Sequence, residues 1–184
     1  MARMHANASR HDVIEAARAR AEGLLANGAA LREVLAQLTA AIETLSNGST
    51  IASILLLDRE GLLRNGASPS LPADYLDKID RLKPDPVVGT CAAAAATGQI
   101  VITPDFQADE KWTELRHLPM AIGFRGAWSM PLTTEAGRVV GTFGTYFREK
   151  RKPTEQELAD VAALAPIAAR AIVARTRTGA DPAP

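Results

Sequence analysis

Cysteine is almost missing from this chain: Cys91 stands alone among 184 residues, so neither an internal disulfide nor a multi-cysteine metal cage can form. A lone thiol fits a reducing compartment, and a cytoplasmic location is expected. No run approaches the roughly 20 apolar residues that a bilayer span needs. The first residues, MARMHANASRHD, also lack the apolar centre of a secretory leader. Neither charge sign is in excess, since 21 basic residues are interspersed with 21 acidic ones. A nucleic acid or a membrane surface is therefore not an expected partner. The few histidines and the carboxylates meet no familiar metal spacing, and no Ser-His-Asp arrangement emerges. Aromatics are only 4% of the chain, so the place of each one carries information.

What is present is enough for one buried core. Hydrophobic residues are 47% and charged residues 23% of a chain of single-domain length. Ser9 and Asp12 can cap a helix that runs through VIEAARARAEGLLA. From Ile14 to Leu45 apolar residues recur at steps of three and four, in phase across Asn27-Gly28, where a glycine can divide two helices. Two readings are open for this stripe: a pair of core-facing helices, or a helical arm for a dimer.

TIASILLLD reads as a strand stopped by Asp58 to Gly61, with Leu62 to Gly66 returning beside it as a hairpin. Pro72 can open a helix through Leu82, and the stiff turn Lys83 to Pro86 follows. CAAAAATG is a short helix closed by Gly98, Ile100 to Thr103 a strand, and Asp105 to Met120 a set of short helical pieces. Residues 127–134 and 138–148 form two more strands around Glu135-Ala136-Gly137. Thr154 and Glu157 form a capping box for a last helix, which Pro166 should kink. The tail GADPAP is expected to fray. Strands in hairpins, with helices at both chain ends, predict an α+β fold.

The stretch from Gly89 to Tyr146 is the most suggestive. Its blocks VVGTC, VITPDFQADEKW, GFRGAWSMPL and VVGTFGTYF would place a helix start, an acidic turn and both tryptophans around a small cavity. With the earlier SILLLD strand, the blocks SILLLD, GTC, WSMP and GTFGTYF stand in the order that resembles the GAF domain family in its bacterial signalling form, over roughly residues 23–175. The resemblance implies a central antiparallel sheet with helices on one face and a ligand pocket on the other. It divides the chain into an N-terminal helical arm (1–22), the ligand-binding domain (23–175) and a tail (176–184). It also implies a small-molecule sensor, homodimeric, passing its state to a histidine kinase or a regulator. The alternative is a dimerisation or interaction module with a vestigial pocket.

The residues expected at the pocket are Thr90, Cys91, Ala92, Asp105, Trp112, Trp128, Ser129, Pro131, Thr142 and Tyr146. Thr90 either caps its helix or, with Cys91 and Ala92, meets a small anion or polar ligand. Cys91 is either a reactive thiolate or a buried, inert thiol. Each tryptophan offers an apolar wall and one N–H donor. Asp105, Asp109, Glu110 and Lys111 read as a lid or a solvated loop, with Arg116 or Arg125 as sources of positive charge. By alternation Tyr146 and Phe143 face opposite ways, so only the set with Thr142 and Gly144 or the set with Phe143 meets the ligand.

The family's methionine sulfoxide reductases use several cysteines, so their chemistry does not carry over to Cys91 alone. A covalent bilin lacks its aspartate, proline and histidine setting here. His117, the one histidine within the domain, is a surface residue or an axial haem ligand. No cofactor is assigned. Ala92 stands where the family commonly has glycine, and Pro86-Val87-Val88 replaces a more glycine-rich approach, which together imply a tight, apolar mouth. No nucleophile and base pair emerges, and a non-catalytic role is expected.

Overall fold

The computed structural model describes residues 9–177, so most of the expected frayed tail and the first eight residues of the arm lie outside the described residues. Helix α1 (Arg10–Ala26) opens on the expected cap: the Ser9 hydroxyl accepts from the Asp12 amide while the Asp12 carboxylate accepts from the Ser9 amide. Two N-terminal N–H groups are thereby satisfied. After Ala26 the chain turns at Gly28, whose φ of +73° suits a residue without a Cβ. Helix α2 (Leu31–Leu45) follows.

Ile14, Ala17 and Ala21 of α1, with Val34, Leu35, Leu38 and Ile42 of α2, are all buried in the chain's own core. The stripe read from the sequence is thus covered within one chain, which is the core-facing arrangement. Its alanines let α1 lie close against α2 and against helix α6 (Glu155–Arg177).

Five strands form one antiparallel sheet: β1 (Thr50–Leu57), β2 (Leu63–Ala67), β3 (Val101–Thr103), β4 (Gly126–Thr133) and β5 (Val139–Phe147). Their order is β2-β1-β5-β4-β3. Both faces are covered. Ala52, Ile54 and Leu56 of β1, Trp128, Met130 and Leu132 of β4, and Phe143 and Phe147 of β5 point at the layer of α1, α2 and α6. The alternate residues face a thinner cover made of α3 (Ala73–Ile79), α4 (Cys91–Thr97), a single 3₁₀ turn at Glu110–Trp112 and α5 (His117–Ala121). This is the α+β architecture expected from the sequence, with the terminal helices together on one side.

One boundary moved for a local reason. Helix α3 stops at Ile79 rather than Leu82, because Arg81 turns to φ +61° and the Leu82 carbonyl accepts from the Leu63 amide at 2.9 Å. Helix α6 runs on through Pro166, which lies on its exposed side. The α6 start is anchored as the capping box predicts, with the Thr154 and Glu157 amide and side-chain groups bonded reciprocally at 2.8 and 3.1 Å.

Two glycines make opposite predictions. A Cβ on Gly141 would lie 2.3 Å from the Leu55 carbonyl oxygen, whereas one on Gly23, in the last turn of α1, would meet nothing within 4 Å. Chemical denaturation is expected to show Gly141→Ala destabilised by about 1–3 kcal/mol and Gly23→Ala stabilised by about 0.5–1 kcal/mol.

Glu157 also receives the forked guanidinium of Arg151, which with Thr154 holds its carboxyl below the ordinary value of 4.5. A lowered folded-state pKa contributes stability above the unfolded value and loses it as pH falls through the folded one. Glu157→Gln should therefore narrow its gap from the parent as pH drops below about 4.5; a gap that persists unchanged at pH 3 would refute the pairing's contribution.

Candidate functional site

On the thinly covered face, sheet register gathers small and polar side chains. Ser129 of β4 lies opposite Gly144 of β5, which lies opposite Ser53 of β1, and Thr142 sits between Pro131 and Leu55 in the adjacent row. Helix α4 settles onto this patch by its first residues. The Cys91 sulfur is 3.1 Å from the Ser129 hydroxyl, which donates at 2.9 Å to the Thr90 hydroxyl. Gly144 makes the approach feasible: a Cβ there would lie 3.0 Å from the Cys91 sulfur and 3.2 Å from the Ser129 oxygen.

The side-chain hydroxyl of Thr90 does not cap α4. It turns inward to Ser129 instead, so the capping alternative is replaced by a buried contact with the sheet. Burial pushes the Cys91 thiol up from its ordinary value, against the opposing effect of the Ser129, Thr142 and Thr90 hydroxyls. The Thr142 hydroxyl favours the thiolate by proximity, yet it is buried without a hydrogen bond of ordinary geometry. Burial thus holds the enclosed Cys91 thiol toward its neutral form.

Aromatic rings close the other side. The Trp112 indole donates to the Thr103 hydroxyl at 3.1 Å, and Thr103 donates to the Asp109 carboxylate at 2.6 Å. Phe106 rests against Trp112 with ring centres 4.3 Å apart. The Tyr75 hydroxyl donates to that of Tyr146 at 3.0 Å, edge against face, and Phe124 flanks Tyr146 at 5.1 Å. Desolvation raises both phenols, Tyr146 well above its ordinary value, so both keep their protons at neutral pH. A hydrogen bond between two phenols uses one proton and leaves the second phenol with a proton to donate.

That hollow is lined by Leu55, Tyr75, Thr90, Cys91, Trp112 and Tyr146, with Leu115, Leu118 and Pro119 above. The centres of water-sized spheres have only about 20 Å³ to occupy, enough for one water. Most of the expected pocket is filled by rings. No charged side chain lines it.

The expected site residues therefore separate. Thr90, Cys91, Trp112 and Tyr146 line the hollow, Ser129 and Thr142 lie immediately behind Cys91, and Ala92, the second residue of α4, is buried outside it. Pro131 shares the face one row further out, beyond the end of β3, where β4 has become an edge and a missing N–H costs nothing. Asp105 is outside, on the outer cleft wall, accepting from the Gln107 amide and paired with Lys150 at 2.9 Å. Arg116 and Arg125 bond to backbone carbonyls and do not line the hollow, and His117 is exposed. Trp128 points to the opposite face of the sheet, into the helical core. Gly144 is at the site with Thr142, as strand alternation allowed, and Thr103 and Tyr75 join it; Tyr75 needed the fold.

With this geometry in place, comparison with known proteins places the chain. Residues 28–173 match the model of the GAF domain. The chain belongs to the GAF domain family, whose members are generally small-molecule sensory and regulatory modules. It is 37% identical over 135 residues to a methyl sulfide methyltransferase-associated sensor of Methanosarcina acetivorans, covering 73% of this chain and 13% of that protein. The chain thus spans a small part of that relative's length. A domain described as belonging to a two-component sensor histidine kinase of Sinorhizobium meliloti is 25% identical with a TM-score of 0.61, covering 82% of this chain and 94% of that one. The GAF domain of a phosphoenolpyruvate-protein phosphotransferase from Coxiella burnetii is 17% identical with a TM-score of 0.73, over 95% and 100% of the two chains, and shares the fold. Among the described residues no helix is long and apolar enough to cross a membrane.

A buried neutral thiol should resist alkylation. Iodoacetamide at pH 8 is expected to leave Cys91 unmodified in the native protein and to label it fully in denaturant, read by intact mass. Native labelling as fast as that of the unfolded chain would overturn the enclosed position.

Proposed function

We propose that this chain is a cytoplasmic sensor domain whose ligand site is the hollow between Cys91 and the Tyr75–Tyr146 pair. The observation that carries the reading is a buried hydroxyl and thiol cluster at one end of an apolar hollow, facing the hydrogen-bonded phenols of Tyr75 and Tyr146. The ligand is small and uncharged. An anion would leave water for a site without a compensating cation, and that cost is prohibitive, so the neutral class is preferred to nitrate or a similar ion.

Occupancy by anything larger than water requires the cover to part. That cover consists of short elements, the 3₁₀ turn and α5, joined to the sheet mainly through Trp112 and its neighbours. Binding would favour the parted arrangement and shift the population toward it. The likeness to sensor proteins of Methanosarcina acetivorans and Sinorhizobium meliloti supports an output through a histidine kinase or regulator, with α1 and α6 as the connection to it in a homodimer.

A second reading, an interaction module with a vestigial pocket, is favoured by the ring-filled hollow itself. Native mass spectrometry of protein from untreated cells, with calorimetry against small alcohols, ketones and nitrate, separates the two. The sensor reading expects a saturable neutral ligand whose affinity falls about tenfold in Ser129→Ala. No co-purified molecule and no saturable binding, in a protein that remains dimeric, would leave the interaction module as the function.

A further inference from the structure

A second cavity lies on the other face of the sheet, where the helices meet it. It is lined by Ile42, Leu45, Val161 and the side chains of Thr50, Trp128 and Thr145, and it has about 40 Å³ open to the centres of water-sized spheres. Register explains the grouping. Trp128 of β4 is opposite Thr145 of β5, which is opposite Ala52 of β1, and Thr50 is the next residue of β1 on that face.

The indole Nε1 of Trp128 and the hydroxyls of Thr50 and Thr145 are all buried, and none has a hydrogen-bond partner in the protein. These residues are 1%, 3% and 1% exposed. On the opposite face the Trp112 indole and the Ser129 hydroxyl are each satisfied by a neighbouring side chain, and the Thr142 hydroxyl is the unpartnered group there. Three unpartnered polar groups around one cavity are therefore a demand for an occupant, since each left empty costs about as much as a lost hydrogen bond.

The occupant's chemistry can be read from the walls. An indole N–H only donates, while a threonine hydroxyl donates or accepts, so the occupant must carry an acceptor for Trp128. Ile42, Leu45 and Val161 form an apolar remainder that water would wet at a cost. The charged groups at the rim are already matched: Arg10 is paired with Asp160, Asp160 also accepts from Gln156, and Glu157 is forked by Arg151. No cation is left for an anion. The volume exceeds what a single water needs and limits the occupant to a small molecule.

We propose that this cavity is a second ligand site, distinct from the hollow at Cys91, for a small neutral amide or similar carbonyl compound held by the Trp128 indole and the Thr50 and Thr145 hydroxyls. Its roof is the contact of Arg10 on α1 with Asp160 on α6. Occupancy would thus be felt where the two terminal helices touch.

Acetamide titrated into the ¹⁵N-labelled 184-residue chain tests this, because the two tryptophans give one indole N–H resonance on each face of the sheet. Trp128→Phe assigns the resonances. The expected result is a saturable shift of the Trp128 indole with Trp112 unmoved, weakened about tenfold in Thr145→Val. Thr50→Val serves if that variant does not fold, and the parent titration alone decides if neither does. A Trp128 indole that does not move, and shows only a magnetisation exchange with water, would mean that ordered water fills the cavity and would overturn the proposal. Movement of Trp112 with Trp128 still would overturn it as well, while supporting the Cys91 site.

Discussion

Period-two alternation along β4 and β5 is the constraint on which the rest of the molecule depends. Both faces of these central strands are covered, so each successive side chain is committed to one of two interiors of different character. Trp128, Met130 and Leu132 enter a dense helical core, while Ala127 and Ser129 enter a thinner layer of short elements. A slip of one residue would exchange these sets and place an indole where only a hydroxyl fits against Cys91. Gly144 strengthens this choice, because its missing side chain is the space that Cys91 and Ser129 share.

The two layers differ in kind. Long helices α1, α2 and α6 bury leucine, isoleucine and alanine ridges against the sheet, and they are tied across the chain ends by Arg10 with Asp160 and Arg170 with Glu22. The opposite cover has only short helices and turns, secured by specific polar contacts such as the relay from Trp112 through Thr103 to Asp109. Elements of this sort open locally at lower cost than long packed helices. A domain built to respond to a small molecule would place its site under that cover.

Much of the fold was legible because local signals agreed with one another. The Ser9–Asp12 and Thr154–Glu157 boxes, the apolar TIASILLL run and the left-handed Gly98 after the alanine helix each marked an element that the structure contains. Boundaries set by tertiary contact were not legible, as with α3, whose end depends on Leu82 reaching Leu63. The site was legible in part. Thr90, Cys91, Trp112 and Tyr146 converge on one hollow, yet the size of that hollow is decided by how Tyr75, Phe106 and Phe124 arrive from distant segments. Trp128 and Ser129 are neighbours on one strand, so alternation alone forbids both from meeting the same ligand. Asp105 reads as a pocket carboxylate only until Lys150, 45 positions away, is seen to claim it.

The Arg151 guanidinium lies 3.7 Å from the centre of the Phe147 ring, at the last residue of β5, and grips Glu157 in the first turn of α6. One side chain thus rivets the end of the middle strand to the root of the longest helix. So short a link couples the two ends: any shift of β5 that kept both contacts would have to carry the first turn of α6 with it.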